Sequence, residues 1–218
     1  MNTAITQPPT EPPTAVQADQ LWARTRKALR GNLVRVLSVS REGEEGAARM
    51  TQVELMALTG IARSTLAKFL SGEDESVINP DLQTLCRLAG GLNVPPALLL
   101  MSTHDWTRLL SAISGLLAQP EISPAMDLGA VPHSSPRDNV ARALDLARLH
   151  GLLLSPRVAM PAAQREMDPR WLRDIDDLAR RQRQGIKAAS ALPEWRAIPA
   201  HVEALFVLCT LLGAATNL

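Results

Sequence analysis

The chain has 218 residues, 46% of them apolar but only 3% aromatic, with no tyrosine. Its formal net charge of +1 neither demands nor excludes a nucleic-acid partner, so any basic surface must be local. A core of this composition is mostly Leu, Ala and Val. Leu and Ala are strong helix formers, and no long alternating β-branched run is present, so an all-α fold is expected. Cys86 and Cys209 are far apart and lack a partner motif, which fits a reducing cytoplasm rather than a disulfide framework. No signal peptide is evident at the N-terminus. The longest apolar run, 202–215, holds Cys209 and Thr210 and is too short for a membrane span.

Residues 1–18 contain QPPTEPPT and read as a disordered tail. A first helix is expected over 20–40, with Leu21, Ala28, Leu29, Leu33, Val36 and Leu37 at helix spacing. Arg24, Arg26, Lys27, Arg30 and Arg35 surround that stripe. REGEEGAAR at 41–49 has no apolar anchor and is expected to be a loop.

The stretch TQVELMALTGIARSTLAKFLSG, 51–72, then shows two sets of apolar residues separated by a glycine. Leu55 and Leu58 precede Gly60; Leu66, Phe69 and Leu70 follow it. Spacings of three and four predict two short amphipathic helices with a sharp corner. Thr51 and Glu54 have the T-x-x-E capping-box spacing. Gly60 supplies a left-handed helix end at little cost, and Ile61 plugs the corner. The second helix carries Arg63, Ser64, Thr65, Ala67 and Lys68 on its open side, a row of donors suited to phosphate oxygens and base edges. The bland alternative is an ordinary helical hairpin with a solvated face.

Further along, SGEDESVI reads as a loop. Asn79-Pro80-Asp81 is expected to start a helix, with Asn79 as its cap and Leu82, Leu85, Cys86, Ala89 and Leu92 inward. Gly90-Gly91 weakens its last turn, and Asn93 supplies a left-handed stop. Pro95-Pro96 opens one longer apolar helix through about Leu117. The proline-rich segment after it is the expected domain boundary. Ser135-Pro136-Arg137-Asp138 caps another helix that ends near Gly151, and Asp168-Pro169 caps the next, with Leu172, Ile175, Leu178, Ala179 and Ile186 inward. A last helix starts near Pro199 and is apolar on most sides.

Residues 21–100 resemble the Cro/CI-type helix-turn-helix domain of bacterial and phage repressors. The resemblance rests on T-Q-x-E-L at Thr51 to Leu55, G-I-x-R-S-T-L at Gly60 to Leu66, Gly72, N-P-D-L-x-T-L at Asn79 to Leu85, and A-x-x-L-x-V at Ala89 to Val94. It implies that the helix from Arg63 to Leu70 enters the major groove. Arg63, Ser64, Thr65 and Lys68 then become candidate base readers, and Gln52 meets a phosphate or a neighbouring side chain. Leu55, Leu58, Ile61, Leu66 and Phe69 become core. The segment 41–49 is longer than usual for this family, and Glu42, Glu44 and Glu45 would repel phosphate unless they point away.

Other chemistry has little support. A self-cleaving Ser–Lys domain, found in some relatives of this kind, needs a base, yet Lys187 is the one lysine after residue 100. His104, His133, His150 and His201 are scattered without zinc-ligand spacing. Asp176–Arg180 and Asp177–Arg181 read as helix-spaced ion pairs. Arg180, Arg181 and Arg183 read as a cluster near the negative end of a helix, or as a second phosphate patch.

The expected organisation is therefore a tail at 1–18, a five-helix Cro/CI-like domain at 19–118 and a helical dimerisation or regulatory domain at 119–218. The expected function is a cytoplasmic, sequence-specific regulator of transcription, a repressor binding double-stranded DNA as a homodimer. No enzymatic activity, cofactor, metal or membrane is expected. A protein or small-molecule effector on the C-terminal half is a further expectation. Pairing of two copies is expected through the last helix, by Val202, Leu205, Phe206, Leu208, Leu211 and Leu212. The rival reading is a protein-interaction module, an antitoxin or adaptor, built on a helix-turn-helix scaffold.

Overall fold

The computed structural model describes residues 15–43, 46–71, 79–117, 135–153, 169–198 and 202–215. Among these residues the fold is helical with almost no strand. The elements in order are α1 (Ala15–Leu37), β1 (Arg41–Gly43), β2 (Gly46–Ala48), α2 (Gln52–Thr59), α3 (Arg63–Ser71) and α4 (Leu82–Leu92). They continue with α5 (Pro96–Leu100), α6 (Thr103–Leu117), α7 (Pro136–Leu149), α8 (Pro169–Ala191) and α9 (Val202–Ala215). A short 3-10 turn, Trp195–Ala197, lies between the last two.

Helix α1 begins at Ala15, inside the stretch expected as tail. The prolines end at Pro13, and Ala15-Val16-Gln17-Ala18 meets no barrier to helix. The rest of the expected tail, 1–14, lies outside the described residues. Leu29, Leu33, Val36 and Leu37 are buried as expected. Leu21 is exposed, because residues 16–24 are exposed throughout and the stripe is covered only further along.

The loop expected at 41–49 contains a small antiparallel hairpin instead, with Arg41 opposite Ala48 and Gly43 opposite Gly46. Three-residue strands of charged and small residues carry no alternation that periodicity could detect. Glu44 and Glu45 lie outside the described residues. Strand β2 packs on α7, and Met50 donates its amide to the Leu37 carbonyl at 2.7 Å, which anchors the hairpin exit to the end of α1.

Helix α4 is capped by Asp81, not Asn79: the Asp81 carboxylate accepts from the Thr84 amide at 2.6 Å. The helix thus starts beyond Pro80, and its buried face is Leu85, Leu88, Ala89 and Leu92. Leu82 is 74% exposed and Cys86 is exposed, both on the flank of that face. Asn93 ends the helix in the left-handed region, as expected, with φ 55°.

The long helix expected over 96–117 is two helices. Ser102 and Asp105 cap each other at the break: the Ser102 amide donates to the Asp105 carboxylate at 2.9 Å, and the Ser102 hydroxyl accepts from the Asp105 amide at 3.3 Å. This box is legible in S-T-H-D but is overshadowed by the apolar run around it. Trp106, one position on, is fully buried.

Helix α7 starts with the expected box, the Ser135 hydroxyl accepting from the Asp138 amide at 3.3 Å. Helices α8 and α9 cross closely, and both also meet α7. A Cβ on Gly185 would lie 2.5 Å from the Gly213 carbonyl oxygen, and one on Gly213 would lie 2.6 Å from Gly185 oxygen and Ile186 Cα. Backbones at this separation leave room for hydrogen only. Leu205, Phe206 and Cys209 of α9 are buried in the chain's own core, and the Trp195 and Phe206 rings meet edge-on at 5.6 Å. The apolar girth of α9 is thus covered in large part within one chain, with Leu208 and Leu212 half-buried. Leu211 is exposed. Burial pushes the Cys209 thiol up, which leaves it inert.

One hydrophobic core runs from α1 through α4 and α6 to α7, α8 and α9. Polar bonds join the two halves around it. Asn93 donates to the Arg181 carbonyl at 2.7 Å, Gln184 to the Gly91 carbonyl at 2.7 Å, and Arg35 Nε to the Leu192 carbonyl at 3.1 Å. Each ends on a backbone carbonyl oxygen of the other half, those of Gly91 and Leu192 at helix ends and that of Arg181 mid-helix. Arg180 pairs with Asp177 at 2.6 Å, three residues back rather than the expected four. The Arg180–Arg183 cluster sits mid-helix, since α8 continues to Ala191, so the helix-end explanation for it is corrected.

Candidate nucleic-acid interface

The corner between α2 and α3 is built from local chemistry. Thr51 is in extended conformation, and its hydroxyl accepts from the Glu54 amide at 3.2 Å while the Glu54 carboxylate accepts from the Thr51 amide at 2.6 Å. Those bonds, led by the Thr51 amide, hold the Glu54 carboxyl below its ordinary pKa, and Arg41 lowers it further. Gly60 ends α2 at φ 66° and donates its amide to the Met56 carbonyl at 2.8 Å. Thr59, buried, donates its hydroxyl to the Leu55 carbonyl at 2.7 Å and accepts from the Ile61 amide at 3.3 Å. Sequence reading passed over Thr59; a threonine immediately before the corner glycine was the available signal.

Leu55, Ile61, Leu66 and Phe69 are buried and lock the two helices together. Leu58, expected with them, is 52% exposed. It lies toward Gly91 of α4, where a Cβ would come within 3.5 Å of its own. With Leu66 and Phe69 pinned inward, the opposite face of α3 is fixed. Arg63, Ser64 and Lys68 are exposed there, and Thr65 is half-buried. Ser64 and Lys68 are one turn apart on that face. Gln52 occupies the first position of α2 and is half-buried.

Charge on this surface is arranged rather than abundant. Helix α3 contains Arg63 and Lys68 and no acidic residue. The Glu54 carboxylate of α2 is held by Thr51 and lies 3.7 Å from Arg41 of the hairpin. Arg41 was not singled out from sequence, because a cation in an expected loop has no visible partner. Its pairing draws the α2 carboxylate toward the cap and the hairpin.

Two helices joined at a left-handed glycine, one presenting its outer face with donors and cations, define a helix-turn-helix. Residues 45–99 match the family model described as helix-turn-helix, and this part of the chain is a Cro/CI-type helix-turn-helix domain. The family is one of DNA-binding regulators, not of enzymes, and the match points to a DNA-binding transcription regulator. Neither the curated proteins nor the solved structures yield a match. Among the described residues no helix is long and apolar enough to cross a membrane.

Proposed function

We propose that the protein is a cytoplasmic transcriptional repressor that reads a specific double-stranded DNA sequence with Arg63, Ser64, Thr65 and Lys68, with Gln52 on the adjoining backbone. The observation that carries this reading is the outer face of α3. Its Arg, Ser and Lys side chains are free to reach a groove, while Leu66 and Phe69 fix the helix rotation behind them. Rigid elements behind a donor row are what base readout needs, since phosphate contacts position a protein and base-edge contacts specify its site.

The repressor acts as a symmetric dimer on an inverted repeat. One recognition helix spans few base pairs, and one such module buries too little surface for tight specific binding. Two modules related by a two-fold axis would read half-sites about 34–36 Å apart. With α9 largely covered inside the chain, this part of the reading stands on the DNA geometry and not on an apolar surface in need of a partner.

Selection of fragments bound by the full-length protein from a random duplex library tests the proposal. A shared motif with inverted symmetry, bound with an affinity that falls steeply with salt, is expected. Recovery of unrelated fragments would remove sequence-specific reading, and a motif without inverted symmetry would remove the dimer.

A further inference from the structure

Helix α1 carries five cations, Arg24, Arg26, Lys27, Arg30 and Arg35, against a single acid, Asp19. Arg26 lies over the Trp22 ring, 5.6 Å from its centroid. The other four line one concavity, a groove of about 660 Å³ between α1 and the start of α6. Glu194 is the carboxylate lining it, at the end reached from the C-terminal half. Asp105 adds a second carboxylate nearby, 3.9 Å from Arg24. Four cations therefore line the groove against two carboxylates, the Arg30 guanidinium also reaching the Ser71 carbonyl at 3.5 Å.

This arrangement leaves the groove with an excess of positive charge. Like charges three residues apart on a helix repel, and Arg24, Lys27 and Arg30 are spaced in that way. Arg35 is partly buried, and desolvation lowers its pKa although Glu194 opposes this. Its guanidinium is spoken for, donating to the Leu192 carbonyl and to Asn32. Glu194 is engaged as well, accepting from the Thr103 hydroxyl at 3.1 Å. The floor between the cations is small and apolar, with Ala28 and Gly31 on α1 and Met101 across from them. A volume of this size matches sites for small organic ligands.

We propose that the groove between α1 and α6 binds a small organic anion, one bearing a phosphate or carboxylate group and an apolar portion. Arg24 and Lys27 take the charged group, and the Ala28–Gly31–Met101 floor takes the apolar portion. The concave shape favours a compact ligand over a continuous duplex backbone. The site lies on α1 and not on the C-terminal half alone, where sequence reading looked for an effector.

Phenyl phosphate is the probe, with inorganic phosphate as its comparison, on the full-length protein at fixed ionic strength. A ligand that binds only the native state raises the melting temperature in a saturable way. Phenyl phosphate is expected to do so at lower concentration than inorganic phosphate. In Arg24→Gln and Lys27→Gln the apparent Kd should rise by roughly tenfold each, as expected for loss of a charge-assisted contact. Both side chains are exposed and the Arg24–Asp105 pair is a loose surface one, so the unliganded melting temperature should change little, and Arg87→Gln on α4 should bind as the parent does. An absent or non-saturable shift, or an equal shift in the variants, overturns the proposal. So does a loss of DNA affinity in Lys27→Gln without any small anion, which would give the groove to the DNA backbone.

Discussion

Asn32 and Arg35, one turn apart on α1, form a polar hinge between three parts of the fold. Asn32 is fully buried, and its amide nitrogen donates to the carbonyls of Leu99 and Met101, each at 2.9 Å. Those carbonyls end α5 and would otherwise be orphaned. The Asn32 side-chain oxygen accepts from the Arg35 guanidinium, whose Nε reaches the Leu192 carbonyl beyond α8. Asn32→Ala removes the donors and leaves buried carbonyls unpaired, at a cost of about 1–3 kcal/mol. Urea denaturation of the full chain should show it as a lower midpoint. Asn32→Asp should be no milder, since it replaces the donor with an acceptor facing carbonyl oxygens.

The capping box of α2 makes an acid-sensitive contribution. Glu54 has a folded pKa below its ordinary 4.5, chiefly through the Thr51 amide. A depressed carboxylate stabilises fully above its unfolded pKa, and the contribution is lost as pH falls through the folded value. Asp81, lowered chiefly by the Thr84 amide, behaves in the same way. Stability should therefore decline below about pH 4.5, and Glu54→Gln should decline less steeply while keeping an oxygen for the Thr51 amide. Urea midpoints measured from neutral pH down to about pH 3 check this; parallel curves for parent and variant would contradict it.

What was legible in sequence was what is local. Thr51–Glu54, Gly60, Asn93 and Ser135–Asp138 are decided within a few residues, and each behaves as its spacing predicts. Periodicity identified apolar faces but not what covers them, so Leu21, Leu58 and Leu82 read as core and are exposed. The outward direction of Arg63, Ser64 and Lys68 followed from the same periodicity, because Leu66 and Phe69 do find cover. The links of Asn32 to α5, Asn93 to α8 and Gly185 to Gly213 join distant positions, and one sequence carries no sign of such pairings.

The α8–α9 crossing gives a third test. Gly213→Ala puts a methyl 2.6 Å from the Gly185 oxygen and the Ile186 Cα, which are backbone atoms that cannot rotate away. The helices must separate, and overpacking of this kind typically costs about 1–3 kcal/mol. Gly185→Ala meets Gly213 and also Asn93, so it strains the link to α4 as well. Because both changes open one crossing, the double variant should lose less than the sum of the two singles. An additive loss in urea denaturation would mean that the two glycines do not share a contact.

The last test separates base reading from backbone contact on α3. Arg63 stands at the first position of the helix, exposed, where a guanidinium can give a bidentate contact to guanine. Such a contact is worth about 1–3 kcal/mol of discrimination. Arg63→Ala should thus weaken the selected site strongly and random duplex weakly, at one salt concentration. Lys68, another of the proposed readers, sits farther along the same face, and the rival role for its ammonium is to serve a phosphate as a point charge. If it does, Lys68→Ala should weaken both DNAs alike and reduce the salt slope by about 1. Equal losses on selected and random DNA for Arg63→Ala would move Arg63 to the backbone class. Sequence reading would then have to come from Ser64 and Thr65, whose hydroxyls discriminate bases less sharply than a bidentate guanidinium.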